Sequence, residues 1–178
     1  MADKGNPSKI EELKLTSNFL RGTIAQEMAD VSVPSVSEES ANLLKTHGTY
    51  QQDDRDHRGG DKVFSFMVRT RVPGGKVSAA QFLAELDLCD QYGDGSLRIT
   101  DRKGFQLHGV VKTNLKDAIR GISQAKLTTL AACGDVCRNV MACPAPIKNK
   151  PAFAEMQLLS DQLAEQHITL RVTSPQAA

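Results

Sequence analysis

The stretch ACGDVCRNVMAC, residues 132–143, places Cys133, Cys137 and Cys143 around Arg138. Three thiols this close could hold a metal ion or carry redox chemistry. Structural zinc sites, however, use paired cysteines at short regular spacing with a full ligand set, whereas here C-x3-C is followed by a longer gap and no clear further ligand. The cysteines therefore read as small apolar residues packed at the end of a strand, and no metal ligand is expected among them. Arg138 is the more interesting residue.

Further arginines recur at spacings that would align them. In KVFSFMVRTRV, a period of two turns Phe64, Phe66, Val68 and Val72 one way and Met67, Arg69 and Arg71 the other. SLRITDRKGFQLHGVV reads as a hairpin turning at DRKG, with Leu97, Ile99, Phe105, Leu107 and Val111 on one face and Arg98, Gln106 and His108 on the other. Singly, Arg71 reads as a solvated surface residue and His108 as a satisfied histidine. Together, arginines on separate strands with a glutamine and a histidine can fork hydrogen bonds to several carboxylates or phosphates at once, which points to a polyanionic ligand. Arg138 could join from the rim. The acidic and basic run QQDDRDHRG reads as a loop that salt-bridges to itself.

The elements between these segments set the fold class. AAQFLAELDLCDQYG is a helix opened by a capping box of Ser78 and Gln81 and stopped by Gly93, with Phe82, Leu86 and Cys89 on its stripe. Asn114 and Asp117 are expected to open a second helix with Leu115, Ala118, Ile119 and Ile122 buried, and LTTLAA to close as a fourth strand. The order strand, helix, strand, strand, helix, strand is the split βαβ, or ferredoxin-like, α+β arrangement, with helices on one face of an antiparallel sheet. Residues 1–60 look like an extended arm with short helices, 61–135 like the ferredoxin-like half-domain, and 136–178 like a loop, a helix and an unfinished start of something further. In the arm, Phe19, Leu20, Ile24 and Met28 fall at helical spacing, and Ser35 with Glu38 is a second capping box.

The chain has 178 residues, 40% of them hydrophobic, and a net charge of +1, so no global basic field advertises nucleic acid or membrane as a partner. MADKGNPSKI has no apolar leader core, no run reaches the roughly 18 apolar residues of a membrane span, and four cysteines without a secretion signal read as reduced thiols. A cytoplasmic protein is the expectation. Two classes fit the residues: an enzyme part whose arginine face holds an anionic prosthetic group, and an RNA-binding module with the same strand order. The second is poorly supplied, because Phe105 falls on the apolar face and aromatic residues are only 4% of the chain.

The segments SNFLRGTI, HGTYQQDDRD, FMVRTRVPGG, YGDGSLRITDRKGFQLHGV and TTLAACGDVCRNVMACPAP, collinear from about residue 12 to 147, resemble the N-terminal part of siroheme-dependent sulfite reductases. Related nitrite reductases share the architecture, but CRNVMACPAP is more similar to the sulfite branch. The resemblance implies six-electron reduction of sulfite to sulfide at a siroheme joined to a [4Fe-4S] cluster, fed by a ferredoxin or flavoprotein donor. Siroheme carries eight carboxylates, which would identify the polyanion. By resemblance, Arg98, Arg102, Gln106 and His108 contact siroheme, while Arg69 and Arg138 bind the substrate anion and favour its protonation and S–O cleavage.

In the family the cluster cysteines and a pair of lysines lie far downstream, and Cys133, Cys137 and Cys143 do not correspond to them. The similarity fades after about residue 165. The expectation is a truncated, frameshifted or split reductase that carries part of the siroheme site and is inactive alone, with the missing half on another chain; a stand-alone anion-binding module is the alternative.

Overall fold

Alternating apolar residues at 64–70 demand a sheet with one dry face, and they form its central strand. The computed structural model describes residues 7–53, 63–134, 136–143 and 151–173. In chain order the elements are α1 (Lys9–Thr16), α2 (Ile24–Ala29), α3 (Glu38–Thr46), β1 (Thr49–Asp53), β2 (Phe64–Thr70), α4 (Ala79–Tyr92), β3 (Leu97–Ile99), β4 (Phe105–Val110), α5 (Lys112–Gln124) and α6 (Pro151–Thr173). The strands pair antiparallel in the order β1-β2-β4-β3. Helices α4 and α5 pack on one face, and the core is built from Phe66, Val68, Leu107 and Val110 of the sheet, Leu88 and Cys89 of α4, and Leu115, Ala118 and Ile122 of α5. Burying one such large side chain is worth about 2 kcal/mol, so this layer dominates the energetics of the domain. The ferredoxin-like α+β class therefore stands.

Several local expectations do not. LTTLAA forms no strand; it contributes a single bridge, Arg71 N donating to Thr128 O at 2.8 Å. Most of that sheet edge is taken by β1, which the arm supplies: Thr49 lies opposite Val68 and Asp53 opposite Phe64. The arm also sends Val36 and Leu44 into the core.

On β4 the alternation slips by one residue. Val68 faces Leu107 but Phe66 faces Val110, so β4 holds one extra residue across a bulge whose Gly109 has φ 73°. Val110 is consequently buried and Val111 exposed, the reverse of strict period two.

Helix boundaries moved for equally local reasons. The capping box of Ser78 and Gln81 is present as expected. By contrast α5 starts at Lys112, without a side-chain cap at Val111, because the bulge already turns the chain there. Helix α3 is capped by Ser37 rather than Ser35, and the acid that receives Ser37 N (2.7 Å) is Glu27 of α2 rather than Glu38. Asn18, Phe19 and Leu20 adopt positive φ in a left-handed turn, so Phe19 is not on a helix and is largely exposed. The charged run after Asp53, up to Lys62, and the proline-rich 144–150 lie outside the described residues.

Candidate functional site

The face of the sheet turned away from α4 and α5 carries the polar residues. Arg69 on β2 is the register partner of Gln106 on β4, and Gln106 that of Arg98 on β3, so the three stand in one row across three strands. With its amide turned so that the oxygen meets the guanidinium, Gln106 accepts from Arg69 Nε at 3.0 Å and from Arg69 Nη2. Arg98 projects into solvent at the sheet edge. His108, half-buried beyond the row, has a buried Nε2 with no hydrogen-bond partner. Burial lowers its pKa and the Arg98 charge adds to this, with Asp94 opposing, so the ring is held neutral near pH 7.

Beside the row lies a cavity of about 210 Å³ lined by Arg69, Arg71, Arg102 and Arg138, with Asp101 as the one acidic side chain. Its far wall is residues 136–143, which have no regular structure of their own and are pinned from outside. Asn139 Nδ2 donates to Val72 O and Arg102 O, both at 2.7 Å, which ties this segment to the end of β2 and to the DRKG turn. Gly74 N donates to Val140 O at 2.8 Å, and Lys103 Nζ to Ala142 O. These bonds bring Arg138 opposite Arg102 and Arg69. Gly104 makes the floor: a Cβ there would stand 2.7 Å from Thr70 O.

Of the expected site residues, Arg69, Arg102 and Arg138 are thus gathered around one cavity. Arg98, Gln106 and His108 lie on the open sheet beside it and do not line it. Arg71 corrects the solvated reading, since it is 1% exposed and is among the largest fully buried side chains. Its Nη2 donates to Ala164 O of α6 at 3.5 Å, while Nε and Nη1 have no partner. Burial lowers its pKa, opposed by nearby Cys137. The sequence pattern RTR placed Arg71 on the correct face but gave no sign of α6 closing over it. Asn139, which follows Arg138 directly, is a positioning residue that no sequence pattern marks, because its two acceptors come from distant segments.

Of the three clustered cysteines only Cys133 packs as expected; Cys137 and Cys143 stand exposed on the irregular segment and do not pack at a strand end. Cys89 and Cys133 are buried, Cys137 and Cys143 exposed, and none is paired. Burial pushes the Cys133 thiol up, while Arg69, hydrogen-bonded to it, and Arg138 draw it partly back. Among the described residues no group of three His, Cys, Asp or Glu side chains could hold a metal ion. Among them, too, no helix is long and apolar enough to cross a membrane.

Residues 57–125 match the family model described as "Nitrite/Sulfite reductase ferredoxin-like half domain". The sulfite reductase [NADPH] hemoprotein beta-component of Oceanobacillus iheyensis is 48% identical over 145 residues, covering 78% of this chain and 25% of that protein. The protein of the same description from Anoxybacillus flavithermus is 42% identical over 174 residues, covering 93% and 30%. Among solved structures, the Mycobacterium tuberculosis NirA protein superposes with a TM-score of 0.70 at 23% identity, over 88% of this chain and 31% of that one, a likeness of fold alone. The chain spans between 25% and 30% of these curated relatives. In sequence, residues 57–125 thus match the half-domain of the nitrite and sulfite reductase family, and most of the chain is similar to the hemoprotein beta-components.

Proposed function

We propose that this chain supplies one wall of the siroheme and substrate-anion pocket of a sulfite reductase, with a nitrite reductase as the alternative. The observation that carries the reading is the cavity in which Arg69, Arg102 and Arg138 converge beside the Arg69–Gln106–Arg98 row. The residues fit a polycarboxylate group. Arg98 and Arg102 are exposed and form no side-chain hydrogen bond or ion pair among the described residues, and the buried Nε2 of His108 lacks a partner. Siroheme would supply the iron at which sulfite is reduced, coupled to a [4Fe-4S] cluster whose ligands this chain does not carry.

In this reading Arg98, Arg102, Gln106 and His108 hold and orient the carboxylates of the prosthetic group. Arg69 and Arg138 bind the substrate anion; their fixed charges oppose its negative charge and favour protonation of the oxygen that leaves. Gln106 keeps the Arg69 guanidinium in place, and Asn139 keeps the Arg138 segment against the turn. Residues 1–60 act as the arm, 61–135 as the half-domain and 136–178 as the lead into the next domain. The rest of the pocket comes from further polypeptide, on this or another chain, and the electrons from a ferredoxin or flavoprotein in the cytoplasm.

Siroheme titration of the 178-residue chain, followed by absorbance, tests the reading. The wild type binds, and Arg98→Ala/Arg102→Ala binds at least about tenfold more weakly, since two charge-assisted contacts are lost. Equal binding by both would remove the cofactor face. In a methyl-viologen assay of the same chain alone, no sulfite turnover is expected; turnover with a bound cluster would overturn the claim of a partial site.

A further inference from the structure

Arg71 presents a second problem that the siroheme reading does not absorb. A guanidinium that is 1% exposed, with Nη2 alone hydrogen-bonded and Nε and Nη1 unpartnered, is a buried charge with no carboxylate bonded to it among the described residues, and such charges are normally paired. The side chain lines the first cavity but also a second one, of about 420 Å³, on the other side of the 73–75 turn under the start of α4. There it meets Lys76, Lys126 and Gln157, while Arg69 and Arg138 line only the first cavity.

The chemistry of the second cavity is specific. Three cations face one carboxylate, Asp161, whose Oδ1 already accepts from Gln157 Nε2 at 2.9 Å. The other Gln157 contact of that nitrogen is Pro73 O at 3.1 Å, so the amide nitrogen is spent while Oε1, on a side chain 8% exposed, has no donor. The start of α4 is not the source of donors, because Ser78 and Gln81 satisfy each other in the capping box. What is left open is therefore two buried N–H donors from Arg71, two flexible ammonium groups at the mouth, and one buried acceptor.

An anion that both accepts and donates satisfies that set. The geometry points to the second cavity as a binding site for inorganic phosphate, with Arg71 Nε and Nη1 donating to two oxygens, Lys76 and Lys126 closing over it, and Gln157 Oε1 accepting from a protonated oxygen. Sulfate has the charge and shape but no proton to give at neutral pH, so the orphan Gln157 oxygen selects against it. This site is separate from the siroheme reading and does not depend on it.

The test follows arginine Nε–H resonances of the isotopically labelled 178-residue chain by two-dimensional NMR, with the Arg71 signal assigned by its loss in Arg71→Lys. Inorganic phosphate is expected to shift that resonance saturably, about fivefold more tightly than sulfate, because sulfate leaves the buried acceptor unpaired. Lys76→Ala/Lys126→Ala, which alters only exposed side chains, is expected to weaken the phosphate effect at least about fivefold, and Arg69→Ala to leave it unchanged. No shift, sulfate as effective as phosphate, full binding in the double lysine variant, or loss of binding in Arg69→Ala would each overturn the site; the last would return Arg71 to the first cavity.

Discussion

At the scale of single residues, the position that sets the geometry of the candidate site is Gly109. It sits in the bulge with φ 73°, and a Cβ added there would lie 2.9 Å from Asp94 Cβ. An L side chain at such a φ is strained, and the clash is with a carbon close to the backbone that cannot simply swing away. The bulge is also what lets Val110 reach the core while His108 stays on the polar face. Gly109→Ala is therefore expected to cost about 2 kcal/mol and to disturb His108 beyond the cost to the fold. The urea midpoint gives the first quantity and the His108 ring resonances the second. A variant with wild-type stability and unshifted His108 signals would show that the glycine is not required.

At the scale of elements, α4 was legible because Ser78, Gln81 and Gly93 mark its ends in sequence, and each does so through hydrogen bonds within a few residues. β2 and the exposed row were legible because period two is local as well. What could not be read was anything decided by partners distant in sequence. β1 has no apolar alternation, since TYQQD pairs through its backbone and hooks Val36 N with Gln51 Oε1 at 2.6 Å. The buried state of Arg71 depends on α6, more than ninety positions away. Docking of the arm likewise rests on one unexpected residue. Lys112, only 8% exposed, donates its ammonium protons to Asp30 O at 2.9 Å, Val33 O at 2.8 Å and Ser35 O at 3.1 Å, stapling the link between α2 and α3 to the start of α5. Lys112→Met keeps the stem but abandons three carbonyls, for an expected loss of about 2 kcal/mol. Amide exchange across residues 30–37 should accelerate well before that of β2 and β4; unchanged protection there would mean that the arm is held by Val36 and Leu44 alone.

At the scale of the whole molecule, stability against pH collects groups that pull in opposite directions. Hydrogen bonds from Ser40, Thr23 and Ser37 overcome the opposing effect of burial and bring Glu27 down to about 2, and shorter networks lower Asp30 and Asp94. Lowered carboxyl values mean stability that is present above the ordinary carboxylate range and lost as pH falls through it. Glu85 does the reverse. It is fully buried on α4, neither oxygen meets a partner at hydrogen-bonding geometry, and burial raises it to about 6, with the Thr70 hydroxyl pulling only partly back. Between about 4.5 and 6 the folded chain thus binds more protons than the unfolded one. The Glu85 contribution therefore falls as pH rises through that window and stays about 2 kcal/mol lower above it. His108, with a lowered value, contributes in the opposite sense, gaining stability as pH rises toward the ordinary imidazole value, so the diagnostic is a difference between proteins rather than one curve. Urea unfolding of wild type and Glu85→Gln from pH 4 to pH 8 should show the variant's relative stability rising between about pH 4.5 and 6 and then levelling. A difference that does not change with pH would mean that the buried carboxyl titrates as it does in the unfolded chain, and would point to a compensating donor beside α4.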